Sequence, residues 1–151
     1  MISMSLADIA AAVEGRLAGG ADPDAVVTGA VEHDSRKVSP GGLFCAIVGE
    51  RADGHDFVAS ALADGAVAAL TSRDVDAPAI VVDDVLAALA KLARAVVDRL
   101  PRLTIVGVTG SSGKTSTKDL IAQLCTRLGP TVATVGNFNN ELGHPYTVCR
   151  A

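Results

Sequence analysis

The pattern of apolar and polar positions that begins after Ser5 predicts a helix from about Leu6 to Glu14. Ser5 is placed to cap it, Asp8 sits at N3 in capping-box fashion, and Gly15 stops it. Ala21 to Asp24 reads as a turn. Val26–His33 and Leu43–Val48 read as strands, joined by residues 34–42. Asp56 is placed to cap a short helix over Val58–Ala63, ended by Gly65. Ala66–Leu70 and Ala79–Val82 are short apolar runs between turn formers, as buried strands are. Asp83 or Asp84 caps a long helix with Leu86, Leu89, Ala93, Val96, Val97 and Leu100 along one face, closed by Pro101.

A second unit then starts. Leu103–Val108 predicts a strand, Thr115–Leu128 a helix, and Thr131–Val135 another strand. Residues 136–143 read as a loop, and Pro145 is placed to begin a further helix. Strand, helix and strand make one βαβ unit. A parallel sheet buries both faces, usually under several helices, and one helix cannot cover them. The expected fold class is therefore α/β: a small mixed α/β domain over 1–100, then, over 101–151, the first βαβ unit of a P-loop-type three-layer ATPase domain. The chain is expected to be a fragment; a short protein that covers its open sheet with a partner chain is the alternative.

Charge supports that division. Residues 1–100 carry 8 Lys/Arg against 15 Asp/Glu, whereas 101–151 carry 5 against 2. The sign turns positive where a phosphate site is expected. The acidic part has no basic stripe with interleaved aromatics, which argues against nucleic acid as a partner. No apolar run approaches the ~20 residues of a membrane span, so no membrane partner is expected. The first residues lack a basic region followed by an apolar stretch, and the expected location is cytoplasmic. Cys45, Cys125 and Cys149 match no metal spacing, and Cys45 and Cys125 are expected to be buried, reduced thiols.

The chemistry concentrates in Thr109-Gly-Ser-Ser-Gly-Lys-Thr-Ser116. An apolar run ends in a glycine-rich turn that opens a helix. Such a turn lets backbone N–H groups curl around an anion at the positive end of the helix dipole. Gly110, Ser111, Ser112, Gly113, Lys114, Thr115 and Ser116 are the candidate ATP-binding residues. Lys114 would reach the outer phosphates and is the candidate catalytic residue; the Thr115 hydroxyl would ligate Mg²⁺. The ordinary P-loop has a glycine six residues before its lysine, and here Val108 stands there. A glycine-rich turn without a ligand is the plain alternative. A P-loop kinase or GTPase is disfavoured by Val108 and by the preceding domain.

This shortened loop resembles that of the Mur ligases and their folylpolyglutamate synthetase relatives. Asp34-Ser-Arg-Lys-Val-Ser-Pro-Gly-Gly-Leu-Phe44 and Gly49-Glu-Arg-Ala-Asp-Gly-His-Asp-Phe57 are similar to the UDP-substrate domain of the muramyl-peptide ligases, and Gly136-Asn-Phe-Asn-Asn-Glu-Leu-Gly-His-Pro145 resembles the member acting last in the series. The resemblance spans nearly the whole chain. It implies an ATP-dependent amide-bond ligase of peptidoglycan synthesis, with UDP-MurNAc-tripeptide and D-Ala-D-Ala as substrates, ATP and Mg²⁺ as cofactors, and a monomeric full-length enzyme. The reaction would pass through an acyl phosphate.

By the same analogy Asp34, Ser35 and Arg36 contact the uridine nucleotide; a solvated turn is the plain reading of those three. Asn137 and Asn140, with Asn139, follow a strand end and are candidate ATP contacts, or else ordinary loop asparagines. Glu141 is a candidate metal neighbour or a surface carboxylate. His55 is assigned no chemistry. A ligase adding the third-position amino acid, and a non-catalytic nucleotide-binding module, are the competing functions. The sequence has no later acidic strand end for Mg²⁺, no lysine of the kind the family carbamylates and no C-terminal domain, so residues 1–151 alone are expected not to form an amide bond.

Overall fold

A computed structural model describes residues 1–50, 52–134 and 142–151. Strand β1 (Met4–Ser5) runs into helix α1 (Leu6–Val13). The Asp8 amide donates to Ser5 Oγ at 3.1 Å, the expected cap. The helix ends one residue early, because Glu14 takes the left-handed conformation (φ 57°) in place of Gly15. Gly15 is needed for close approach instead: a Cβ there would lie 2.8 Å from side-chain atoms of Ile80 and Val82.

The expected strand Val26–His33 is two strands in two sheets. β3 (Val26–Val27) pairs antiparallel with β1, following β2 (Arg16–Ala18), which the sequence reading had missed. β4 (Val31–Glu32) joins the main sheet. Between them the amides of Thr28 and Gly29 both donate to the Gly41 carbonyl, and a Cβ on Gly29 would meet backbone atoms of residues 40–42 at about 3 Å.

The main sheet adds β5 (Leu43–Cys45), β6 (Ala68–Thr71) and β7 (Ala79–Val81), in the order β2-β7-β6-β5-β4. β4 to β7 run parallel, and β2 closes one edge antiparallel to β7. Side chains alternate between faces. Leu43, Cys45, Ala68 and Leu70 join the larger core with Leu6, Ile9 and Val13 of α1 and with Leu89, Leu92 and Val96 of α3 (Val85–Asp98). Phe44, Ala46 and Ala69 face the smaller core under Val58 and Ala61 of α2 (Val58–Ala63). Asp84 caps α3 by accepting from the amides of Leu86 and Ala87. At α2 the expected cap moves. Asp53 accepts from the His55 amide at the start of a 3₁₀ turn, Gly54–Phe57, that leads into the helix, so Asp56 lies inside that turn.

In the second unit α4 (Lys114–Cys125) forms, shorter than the expected Thr115–Leu128, and α5 (Gly143–Val148) begins near Pro145. The flanking runs do not reach strand geometry. Residues 103–108 and 131–134 carry no ladder bonds among the described residues. A parallel pair needs neighbours and a covering layer. Here Leu120, Leu124 and Leu128 are 61%, 65% and 88% exposed, and Ile105 and Val106 are exposed as well. α5 behaves differently. It packs on α3, and Leu142, Tyr146 and Val148 lie against the larger core. Cys149 is fully buried, with its thiol pushed up to about 12 by burial. Cys125 is only partly exposed rather than buried, so the buried pair is Cys45 and Cys149; all three are free thiols.

Leu89→Ala should cost ~2–5 kcal/mol in urea unfolding, because it opens a cavity in the larger core. Leu120→Ala, on the open face of α4, should stay within ~0.5 kcal/mol. Equal losses would contradict this division between closed core and open face.

Candidate nucleotide site

The loop before α4 is shaped by two glycines. Gly113 caps the helix at φ 76°, a left-handed conformation that costs other residues energy, and Gly110 sits at φ 151°. No side chain caps α4. The Thr117 amide donates to the Gly113 carbonyl, the first helical bond. The amides of Lys114, Thr115 and Ser116 therefore have no acceptor among the described residues, as the first turn of a helix requires. They are the donors that a phosphate oxygen would take.

Lys114 folds back over the loop, its Nζ donating to the Gly110 carbonyl. Ser111, Ser112, Thr115 and Ser116 are exposed. The loop is thus open to solvent, with its cation held by one backbone oxygen that an anion can replace. At the other end of the unit Lys118 donates to the Thr134 carbonyl at 2.6 Å and pairs with Asp119 at 2.7 Å, which ties α4 to the following segment. Asn137, Asn140 and Glu141 lie outside the described residues. Among the described residues no cluster of three His, Cys, Asp or Glu side chains is placed to hold a metal ion.

A second site lies in the first domain, where the parallel strands end. Ligands of parallel α/β sheets bind beyond the carboxyl ends of the strands. His33 follows β4; Ile47, Gly49, Glu50, Ala52 and Gly54 follow β5. Together with Phe57 and Leu142 they line an open cleft of about 550 Å³. Its described lining includes no Lys or Arg. The cleft's floor is fixed by Gly54, where a Cβ would meet backbone atoms of Ala46 and Ile47 at 2.6 to 2.8 Å. Burial holds His33 below its ordinary value, favouring the neutral ring.

Asp34, Ser35 and Arg36 begin just past His33. Asp34 caps a 3₁₀ turn over Ser35–Lys37, and Arg36 forks onto it at 2.8 and 2.9 Å. These bonds hold the Asp34 carboxyl at about 2. The Arg36 side chain is 86% exposed, so its fork can turn outward.

His55 is buried in a hydrogen-bond network of the first domain. Its Nδ1 lies 2.6 Å from Asp53 Oδ1, and its Nε2 accepts from the Ser72 amide at 3.0 Å. The proton therefore sits on Nδ1. Asp53 also takes Arg73 at 2.8 Å. Bonds from the His55 amide and ring hold the Asp53 carboxyl at about 2. This network fastens the loop after β5 to the end of β6. The sequence reading missed His33, Ile47 and Leu142 as cleft residues; the carboxyl-end rule, applied to the strands ending near residues 33 and 48, was the signal for the first two.

Residues 28–97 match the family model "Mur ligase family, catalytic domain", and residues 108–151 match "Mur ligase middle domain". The chain belongs to the Mur ligase family. Over its whole length it is 51% identical to the UDP-N-acetylmuramoyl-tripeptide–D-alanyl-D-alanine ligase of Mycobacterium tuberculosis (strain ATCC 25618 / H37Rv), of which it covers 35%. It is 43% identical to the ligase of the same name from Escherichia coli (strain K12), over 99% of this chain and 32% of that protein. The crystal structure of MurF from Acinetobacter baumannii superposes with a TM-score of 0.86 at 33% identity, over 100% of this chain and 34% of that one. The MurF ligase from Thermotoga maritima, solved in complex with ADP, gives 0.67 at 38% identity, over 82% and 29%. The chain thus spans about a third of the length of these Mur ligase relatives. No described helix is long and apolar enough to cross a membrane.

Asp34 and Asp53 both titrate below their ordinary 3.8 in the folded chain. Their contribution to stability is present above the ordinary value and is lost as pH falls through about 2. Asp53→Asn should therefore lower the urea midpoint at pH 6, and the gap to the parent chain should close toward pH 2. A gap of constant size would contradict the network.

Proposed function

We propose that this chain is part, about a third, of an ATP-dependent ligase that joins D-Ala-D-Ala to UDP-MurNAc-tripeptide in peptidoglycan precursor synthesis. The observation that carries the reading is the turn at 110–113, after which the amides of Lys114, Thr115 and Ser116 open a helix with no acceptor among the described residues. The likeness over the whole chain to ligases of that name supports it.

In this reading residues 1–100 receive the UDP end of the substrate. The cleft takes the base and ribose, and Arg36, released from Asp34, takes a phosphate with Ser35 beside it. Residues 101–151 open the ATP site. The amides of Lys114, Thr115 and Ser116 bind phosphate oxygens, and Gly110, Ser111, Ser112 and Gly113 shape the cradle. Lys114 leaves the Gly110 carbonyl for the outer phosphates, where charge builds during transfer. The donor set suits Mg²⁺: the Thr115 hydroxyl would ligate the ion, with Glu141 as a further oxygen donor, and the ion supplies charge neutralisation when bound. Asn137 and Asn140 remain candidate ATP contacts.

A carboxylate is a poor electrophile, and phosphorylation gives it a leaving group. The D-Ala-D-Ala amine then displaces phosphate to form the amide. The exposed apolar face of α4 belongs to the same reading: it is the surface on which the rest of the central domain would pack. A cytoplasmic, monomeric full-length enzyme is part of the proposal.

A second reading has direct support. The chain is 40% identical, over 82% of its length, to the UDP-N-acetylmuramoyl-L-alanyl-D-glutamate–2,6-diaminopimelate ligase of Geobacillus thermodenitrificans. The higher identity and fuller coverage favour the first.

Calorimetric titration tests the phosphate loop. Lys114→Ala should weaken Mg²⁺-ATP binding by roughly 10- to 100-fold, the loss of a charged hydrogen bond, while UDP affinity holds. Unchanged ATP affinity would overturn the assignment. In the full-length enzyme, amide formation should occur with D-Ala-D-Ala and not with a diamino acid; the reverse would select the second reading.

A further inference from the structure

The contact between α5 and strand β4 carries a role that the site residues above do not account for. Tyr146 Oη donates to Glu32 Oε2 at 2.8 Å. Its ring stands edge-on to His33, with centroids 5.2 Å apart and planes at 90°. Glu32 ends β4, and His33 follows it into the cleft wall. One turn before Tyr146 lies Leu142, another cleft residue, and the Tyr146 amide donates to the Leu142 carbonyl at 3.0 Å. Cys149, one turn after Tyr146, is fully buried in the larger core. One short helix is thus anchored in the core at its end, bonded to the sheet edge at its middle and exposed to the cleft at its start.

We propose that Tyr146 is a positioning residue for the nucleotide cleft: by bonding Glu32 and bracing His33 it holds Leu142 as a wall against a bound nucleoside diphosphate. The proposal rests on the reading that the cleft takes the UDP end of the substrate. It adds that a residue from the phosphate-loop half of the chain, touching no ligand, sets affinity in the first domain. The anchor is partly buried and strong. Burial and the Glu32 carboxylate push the Tyr146 hydroxyl up to about 12, so it remains a donor throughout the neutral range.

UDP is the probe, titrated calorimetrically into the 151-residue chain, with Mg²⁺-ATP titrated separately. Tyr146→Phe and Glu32→Ala should each weaken UDP by about fivefold or more, since each removes one end of a charge-assisted hydrogen bond. The double variant should be no weaker than the worse single one, because both remove the same bond. Glu32→Gln keeps a carbonyl acceptor and should restore most of the affinity. ATP affinity should hold in every variant. Amide exchange over 142–149 should quicken in Tyr146→Phe. If the parent chain binds UDP and both single variants match it, the positioning role is wrong and the cleft reading survives. If the parent chain binds ATP but not UDP, the cleft reading falls and this role falls with it. Should Tyr146→Phe fail to fold, Glu32→Ala and Glu32→Gln on the sheet edge carry the same comparison.

Discussion

Three amides at the start of α4, without an acceptor among the described residues, are the constraint on which the proposed function depends. Every helix begins with donors it cannot use, and most chains cap them with a side chain. This chain caps α4 with Gly113, which contributes no acceptor, and places Lys114 immediately behind it. The cation is held by a backbone carbonyl of the same loop, a weaker partner than a phosphate oxygen. In the proposed reading the turn receives an anion, and a capping serine or aspartate at 113 would satisfy the helix in its place.

The first domain supplies the other half. Its four parallel strands finish at one edge, and the loops leaving β4 and β5 part to form the cleft. The His55–Asp53–Ser72 network keeps the β5 loop fixed to its neighbour, so the cleft has a rigid floor. α5 then reaches from the second unit to the rim. The two halves meet through packing of α5 on α3 and through the hydrogen bond from Tyr146 to Glu32.

The glycine turn that opens α4 was legible because backbone geometry dictates it: Gly110 and Gly113 both sit at positive φ. The long helix over residues 85–98 was legible from its apolar content, but its buried face runs through Val85, Ala88, Leu89, Leu92, Ala93 and Val96, so the expected Leu86 and Val97 lie off it. Val26–His33 misled because Val26-Val27-Thr28 and Val31 look like one strand, while the break comes from Gly29 approaching residues 40–42, a contact outside the run itself. The helix stop at Glu14 misled for a related reason, since Gly15 serves packing on β7 instead. The strands flanking α4 were read from apolar content, yet apolar content alone makes no ladder without partner strands. Tyr146 gave no signal, because its partner lies 114 residues earlier.

The most direct measurement follows backbone amide resonances of the 151-residue chain while Mg²⁺-ADP is added. The amides of Lys114, Thr115 and Ser116 should shift first and furthest, saturating with one nucleotide per chain. If ADP binds and those three resonances stay still while others move, the phosphates sit elsewhere and the account is wrong.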